Sequence, residues 1–210
     1  MEKIIYIILL LILEKDFYTN IKTIKKVDLT TIVNKNNKLE KNYVPDNLEY
    51  IDLKYSCKDK MLVSVARKQF EKLAKDASIE GYNIIAVSAY RSYDYQEKLY
   101  NNYVLLKGKY MADVASARSG HSEHQTGLAV DVSDITLDYD NFEKTKEFTW
   151  MKNNAYKYGF ILRYPKAKFH ITGFKYEPWH YRYVGNVVAQ IIHSKNITLE
   201  EYEKELRNNS

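Results

Sequence analysis

Residues 119–131 read Ser-Gly-His-Ser-Glu-His-Gln-Thr-Gly-Leu-Ala-Val-Asp, and they hold two of the chain's five histidines together with Glu123 and Asp131. Imidazole and carboxylate are both ligands that Zn²⁺ accepts. A catalytic zinc site takes three protein ligands and keeps a fourth position for water, so this stretch needs a partner elsewhere in the chain. His193 follows Ile191 and Ile192 on a helical pattern, and His170 sits in a strand-like run with Phe169 and Ile171. Both read as packing or surface residues. His180 differs, because it follows Glu177 by three residues with Pro178 between them. Proline biases the residue before it towards an extended backbone and disturbs strand pairing, which aims Glu177 and His180 into one space. The residues alone therefore suggest His124, Asp131 and His180 around one Zn²⁺ per chain. Such a metal lowers the pKa of bound water to about 7. Glu177 is the first candidate to move that water's proton, with Glu123 in reserve. The competing reading makes His121 and His124 polar loop residues at a turn. Cys57 is the sole cysteine, so neither an intrachain disulfide nor a multi-thiolate zinc site is available.

The elements that must position these groups follow from periodicity. Leu128, Val130 and Val132 alternate with small residues and Asp131, which describes a strand with one apolar face. On a strand through 179–185, His180 and Arg182 share one face while Trp179, Tyr181 and Tyr183 share the other. The aromatic face is expected in the core and the polar face in a cleft. Leu62, Val65, Phe70, Leu73 and Ala77 predict a helix over 59–77 capped by Asp59, and 82–90 reads as a buried strand. Further helices are expected from Tyr95 to Leu106, from Tyr110 to Ala117 after Gly108, and from about Asn141 to Tyr158. Strand-like segments at 160–164 and 169–172 and one or two C-terminal helices complete the chain. Helices and strands mix without regular alternation, so the fold class is α+β with a small, mostly antiparallel sheet flanked by helices.

Three segments together, SAYRSYDYQ (88–96), SGHSEHQTGLAVD (119–131) and EPWHYRYVG (177–185), resemble the VanY-type zinc D-alanyl-D-alanine carboxypeptidases and the related peptidoglycan L,D-carboxypeptidases. The resemblance spans about Val33 to Ile192, with NKNNKLEKNYVPDNL (34–48) similar to the family's lead-in. It implies the hedgehog/DD-peptidase-like fold, His124, Asp131 and His180 as zinc ligands, and Glu177 as general base and acid. It also implies Arg91 as the partner of the substrate's carbonyl or terminal carboxylate, with Gln96 and Ser122 lining the pocket. A guanidinium fork suits a free C-terminal carboxylate, and Arg91 at a helix start is electrostatically misplaced unless it serves a ligand. The 20 tyrosines suggest packing in the main, with Tyr90, Tyr93 and Tyr95 as the exception that could face a glycan.

The resulting expectation is an exported peptidoglycan carboxypeptidase that removes the C-terminal D-alanine of stem peptides. An L,D-carboxypeptidase on tetrapeptides, a crosslink endopeptidase and a zinc-containing wall-binding module are the rivals. A structural zinc site is usually closed by four protein ligands, and the sequence offers three. The formal charge of +5 comes with no basic block interleaved with aromatics, so nucleic acid is not expected as a partner. Lys3 and the apolar run Ile4–Leu13 have the form of a signal peptide or a short membrane anchor over residues 1–13. Residues 14–42 read as a polar spacer, and the domain is expected to occupy 43–210. Nothing implies an oligomer.

Overall fold

The computed structural model describes residues 17–208. The expected signal or anchor over residues 1–13 lies outside the described residues. In chain order the regular elements are β1 (Lys22–Ile24), β2 (Asn37–Leu39), β3 (Leu48–Tyr50), β4 (Met61–Val63), α1 (Ser64–Ile79), β5 (Ile85–Ser88), α2 (Tyr93–Ala115), β6 (Ala129–Ser133), α3 (Lys146–Asn154), β7 (Phe160–Leu162), α4 (Phe169–Thr172), β8 (His180–Tyr183), α5 (Asn186–Lys195) and α6 (Leu199–Asn208). The central sheet runs β5-β6-β8-β7 with every neighbouring pair antiparallel, and two two-stranded sheets, β1-β2 and β3-β4, stand apart from it. This is the expected α+β class.

Alternation along β6 and β8 divides the sheet into two faces. Val130, Val132, Tyr181 and Tyr183 join one apolar cluster with Ala66, Phe70, Leu73 and Ala77 of α1 and Met151 of α3. The opposite face carries Asp131 on β6, directly across from His180 on β8. Tyr181 and Tyr183 face the core and His180 the cleft as the alternation predicts, whereas Trp179, expected in the core, packs against that cluster and also lines the cleft.

Three elements depart from the sequence reading. The helix expected from Asp59 begins at Ser64, because Met61–Val63 pair with Leu48–Tyr50 as a strand and the helix has no side-chain cap. The 169–172 segment is a helical turn closed by Gly173 at φ 77°, although its Phe, Ile and Thr favour strands. Within the stretch read as a polar spacer, Tyr18, Val33 and Leu39 are buried, while most of residues 19–29 is exposed. Its physical anchors are backbone groups rather than a periodic apolar face. Leu39 N–H donates to Gly120 O (2.8 Å), Gln125 Nε2 donates to Glu40 O (2.9 Å), and Arg182 donates to Leu29 O and Thr31 O (3.1 and 3.0 Å). The long α2 contains the expected break, with Gly108 at φ 77° and ψ 159° inside it. Among the described residues no helix is long and apolar enough to cross a membrane.

The lead-in segment therefore braces the loop at 119–127. Leu39→Ala should lower stability by roughly 2–5 kcal/mol, as for other fully buried leucines, measured by urea unfolding. A loss below about 0.5 kcal/mol, the range of surface substitutions, would show that the segment does not belong to the folded unit.

Candidate active site

Asp131 and His180 meet because the register of β6 and β8 makes them cross-strand partners. His180 Nδ1 lies 2.9 Å from Asp131 Oδ1. His124 arrives from a different element, a single 3₁₀ turn over Glu123–Thr126. Ser122 caps that turn by accepting from His124 N–H, and Gly127 ends it in the left-handed region at φ 68°. A Cβ on Gly127 would stand 3.0 Å from both Leu48 Cδ2 and Val63 Cγ1, so the tight end of the turn depends on glycine twice over.

The tautomer of His124 is set by its surroundings. His124 Nδ1 lies 2.6 Å from Ala89 O, a carbonyl that can only accept, so Nδ1 carries the proton and donates it. Nε2 is then an acceptor, yet it faces Asp131 Oδ2 at 3.2 Å and has no hydrogen-bond partner among the described residues. Two buried acceptors pointing at one another are favourable only with a cation between them. His124, Asp131 and His180 each offer one ligand atom, all within 4.8 Å of one another. This donor set of two imidazoles and a carboxylate suits Zn²⁺.

The electrostatics distinguish the surrounding carboxyls. Burial raises the Glu177 carboxyl to about 7, with His180 pulling it the other way. Its Oε2 is 3.9 Å from His180 Nδ1. Glu123, the reserve base, is placed quite differently. Burial would raise its pKa, but Arg163 and Arg182 outweigh burial and hold it well below the carboxylate range. Burial lowers the His124 imidazole to about 4, helped by Arg91 and opposed by Asp131. Burial also acts to lower His180, but Asp131, Glu123 and Glu177 push it up to about 9.

Arg91, Ser122 and Glu177 line the same cleft of about 260 Å³ as the three candidate ligand residues. Arg91 follows β5, its N–H donates to His124 O (3.2 Å), and its Nε has no hydrogen-bond partner among the described residues. Gln96, expected in the lining, is instead buried behind the cleft, because its Nε2 donates to Ala117 O (2.7 Å) on the loop leading to the motif. The aromatic rim is also different from expectation. Tyr95, Tyr103, Tyr139 and Trp179 line the cleft, whereas Tyr93 packs towards Gly120 and Tyr90 lies outside the lining. His121 turns away to Asn34 O (2.8 Å) and His193 stacks on Tyr156. A larger cavity of about 480 Å³ lies behind the sheet, against Phe148, Met151, Phe160 and Tyr181. Size does not decide the assignment here, since the His and carboxylate groups converge in the smaller cleft. Sequence reasoning missed Arg163, which lies in the strand-like stretch 160–164 and offered no local signal of a partner.

Comparison with known proteins points to one family. The family profile of VanY, D-alanyl-D-alanine carboxypeptidase, matches residues 59–186. YodJ of Bacillus subtilis (strain 168), provisionally named a carboxypeptidase, is 40% identical over 209 residues, covering 93% of this chain and 77% of YodJ. The solved LdcB LD-carboxypeptidase superposes with a TM-score of 0.80 at 40% identity, over 90% of this chain and 92% of that one. A VanY D,D-pentapeptidase from a VanB-type resistance cassette, solved with Zn(II), superposes with a TM-score of 0.71 at 31% identity, over 83% of this chain and 98% of that one.

The turn that aims His124 should be sensitive to its glycine end. Gly127→Ala is expected to lower stability by about 1–3 kcal/mol, the usual penalty for a side chain held at positive φ. Thermal or denaturant unfolding checks this, and an unchanged midpoint would contradict the role given to Gly127.

Proposed function

The chain belongs to the VanY family of D-alanyl-D-alanine carboxypeptidases, and from that premise we propose that it removes the C-terminal D-alanine from peptidoglycan stem peptides. It is a metallocarboxypeptidase, and zinc is its cofactor. The observation that carries the reading is the facing pair of buried acceptors, His124 Nε2 and Asp131 Oδ2, with His180 Nδ1 beside them. Zinc, when bound, supplies Lewis acidity that acidifies a water and polarises the scissile carbonyl.

The remaining chemistry falls to side chains of the cleft. Glu177 titrates near neutrality, which suits a group that takes a proton from the attacking water and returns it to the leaving amine. Arg91 presents a guanidinium with an unpaired Nε among the described residues. It binds the free C-terminal carboxylate of the substrate or the developing oxyanion, and either task uses a positioned cation well. Ser122 holds the His124 turn and contributes to the wall. Roughly 260 Å³ accommodates the end of a peptide rather than a long segment. Because stem peptides lie outside the cytoplasm, export to the cell envelope belongs to the same proposal, with the apolar run Ile4–Leu13 as its vehicle.

A second reading has its own support. The likeness to LdcB covers more of this chain than the likeness to the zinc-bound VanY, which favours weighing an L,D-carboxypeptidase acting on tetrapeptides. The test is mass spectrometry of purified pentapeptide and tetrapeptide muropeptides incubated with the protein. Loss of one terminal D-alanine from the pentapeptide, abolished by chelator and restored by zinc, is the expected result. Trimming of the tetrapeptide alone would replace the D,D reading with the L,D one, and no trimming of either would overturn both. Glu177→Ala should keep one zinc per chain and lose about 10²–10⁴-fold in turnover. Wild-type turnover in that variant would show that another group moves the proton.

A further inference from the structure

Behind His180, on the side away from Asp131, four charged side chains form a buried chain of contacts. Glu123 Oε1 accepts from Arg163 Nε (2.7 Å), and Arg182 Nη1 lies 2.9 Å from the same oxygen as an ion pair. Arg163 then grips Glu200 of α6 with both terminal nitrogens, at 2.8 and 2.6 Å. Glu123, Arg163 and Arg182 are each 0–1% exposed. Two carboxylates and two guanidiniums balance in charge. Such a cluster is not an efficient source of stability, because well-packed apolar residues of similar volume often serve as well or better. Its geometry does something apolar residues could not do. Glu123 Oε2 is left facing His180 Nε2 at 3.6 Å, and neither atom has a hydrogen-bond partner among the described residues. The separation is longer than a hydrogen bond, and each atom is the other's available partner.

We propose that Glu123, held by Arg163 and Arg182, is a positioning residue that takes the proton of His180 at Nε2 when metal binds, which frees Nδ1 beside Asp131 for the cation, and that Glu200 anchors this arrangement from the C-terminal helix. A metal-ligating histidine depends on such an outer partner for its tautomer, ring orientation and basicity. Arg163 and Arg182 grip Glu123 Oε1 at 2.7 and 2.9 Å and so aim Oε2 at His180, and Arg182 is itself fixed by Leu29 O and Thr31 O. The Tyr164 ring lies 4.8 Å from the His180 ring and limits its rotation. By this route α6, which lies beyond the stretch matched by the family profile, becomes part of the metal site without touching the cleft.

The inference rests on the zinc reading of the site, and the test separates the two. Zinc affinity of the full-length metal-free protein is measured by competition with a chromophoric chelator, alongside the visible absorption spectrum of the Co²⁺-loaded form and the thermal midpoint of the metal-free form. Glu123→Gln is expected to weaken zinc binding by about 10–100-fold, the usual effect of losing such a partner, and to shift the Co²⁺ bands. Glu200→Gln should weaken binding in the same direction by a smaller factor. Glu201→Gln is the control: it loses the ion pair that ties α6 to Lys168 (2.9 Å) but has no ion pair with Arg163 among the described residues, and it should bind zinc as the wild type does. If Glu123→Gln does not fold, Glu200→Gln carries the test. Wild-type affinity and Co²⁺ bands in a folded Glu123→Gln protein, or in Glu200→Gln where it stands alone, would overturn the inference. An equal loss in Glu201→Gln would also overturn it, by reducing the effect to helix docking. Failure of the wild type itself to bind one zinc would instead remove the metal reading.

Discussion

Antiparallel pairing of β6 with β8 places Asp131 opposite His180, and the site cannot form in any other register. Side chains alternate along a strand, so a slip of one residue would send Asp131 into the apolar cluster of Val130, Val132, Tyr181 and Tyr183. That alternative buries a carboxylate among hydrocarbons and exposes the valines, and both changes are unfavourable. The core therefore enforces the register, and the register brings two of the three candidate ligands within 2.9 Å of each other. The third comes from a turn tied to the sheet by the His124 Nδ1–Ala89 carbonyl bond. Core packing and metal geometry are consequences of the same strand pairing.

The two glutamates near His180 show how surroundings assign roles to one residue type. Glu177 lies at the cleft without a guanidinium against it, and burial lifts its carboxyl to about 7. Glu123 is more deeply buried but has two guanidiniums on one oxygen, so it stays ionised. The first is suited to exchanging a proton. The second is suited to holding a fixed charge. Their environments differ because Glu177 precedes Pro178 at the mouth of a strand, whereas Glu123 opens a 3₁₀ turn over the arginine face of β7 and β8.

What was legible in the sequence follows the same physics. Strand alternation is local, so the separation of His180 and Arg182 from Tyr181 and Tyr183 could be read directly, whereas Trp179, just before the strand, reaches the cleft. The gathering of His124, Asp131 and His180 was proposed from residue types and from family resemblance, and the structure brings those three together. Long-range backbone bonds leave no local pattern. The 14–42 stretch looked like a spacer because its attachments run through carbonyls such as Leu29 O and Glu40 O rather than through a hydrophobic stripe. Arg163 and Arg182 showed no pairing in the sequence because their partners, Glu123 and Glu200, are distant along the chain. Arg182 was expected to look into the cleft, but it is sealed beneath it by Glu123 and the lead-in carbonyls. The 169–172 turn was misread because strand-favouring residues there are overruled by Gly173. Gln96 and the tyrosine rim depended on where α2 lies against the sheet, which periodicity cannot supply.

The central claim is that one cation is held by three side chains from two strands and a turn. Anomalous diffraction at the zinc edge, from crystals of the full-length protein grown with stoichiometric Zn²⁺, tests it most directly. The account predicts a single strong peak in contact with His124 Nε2, an Asp131 oxygen and His180 Nδ1. A peak bound elsewhere, or one that engages His180 through Nε2, would contradict it.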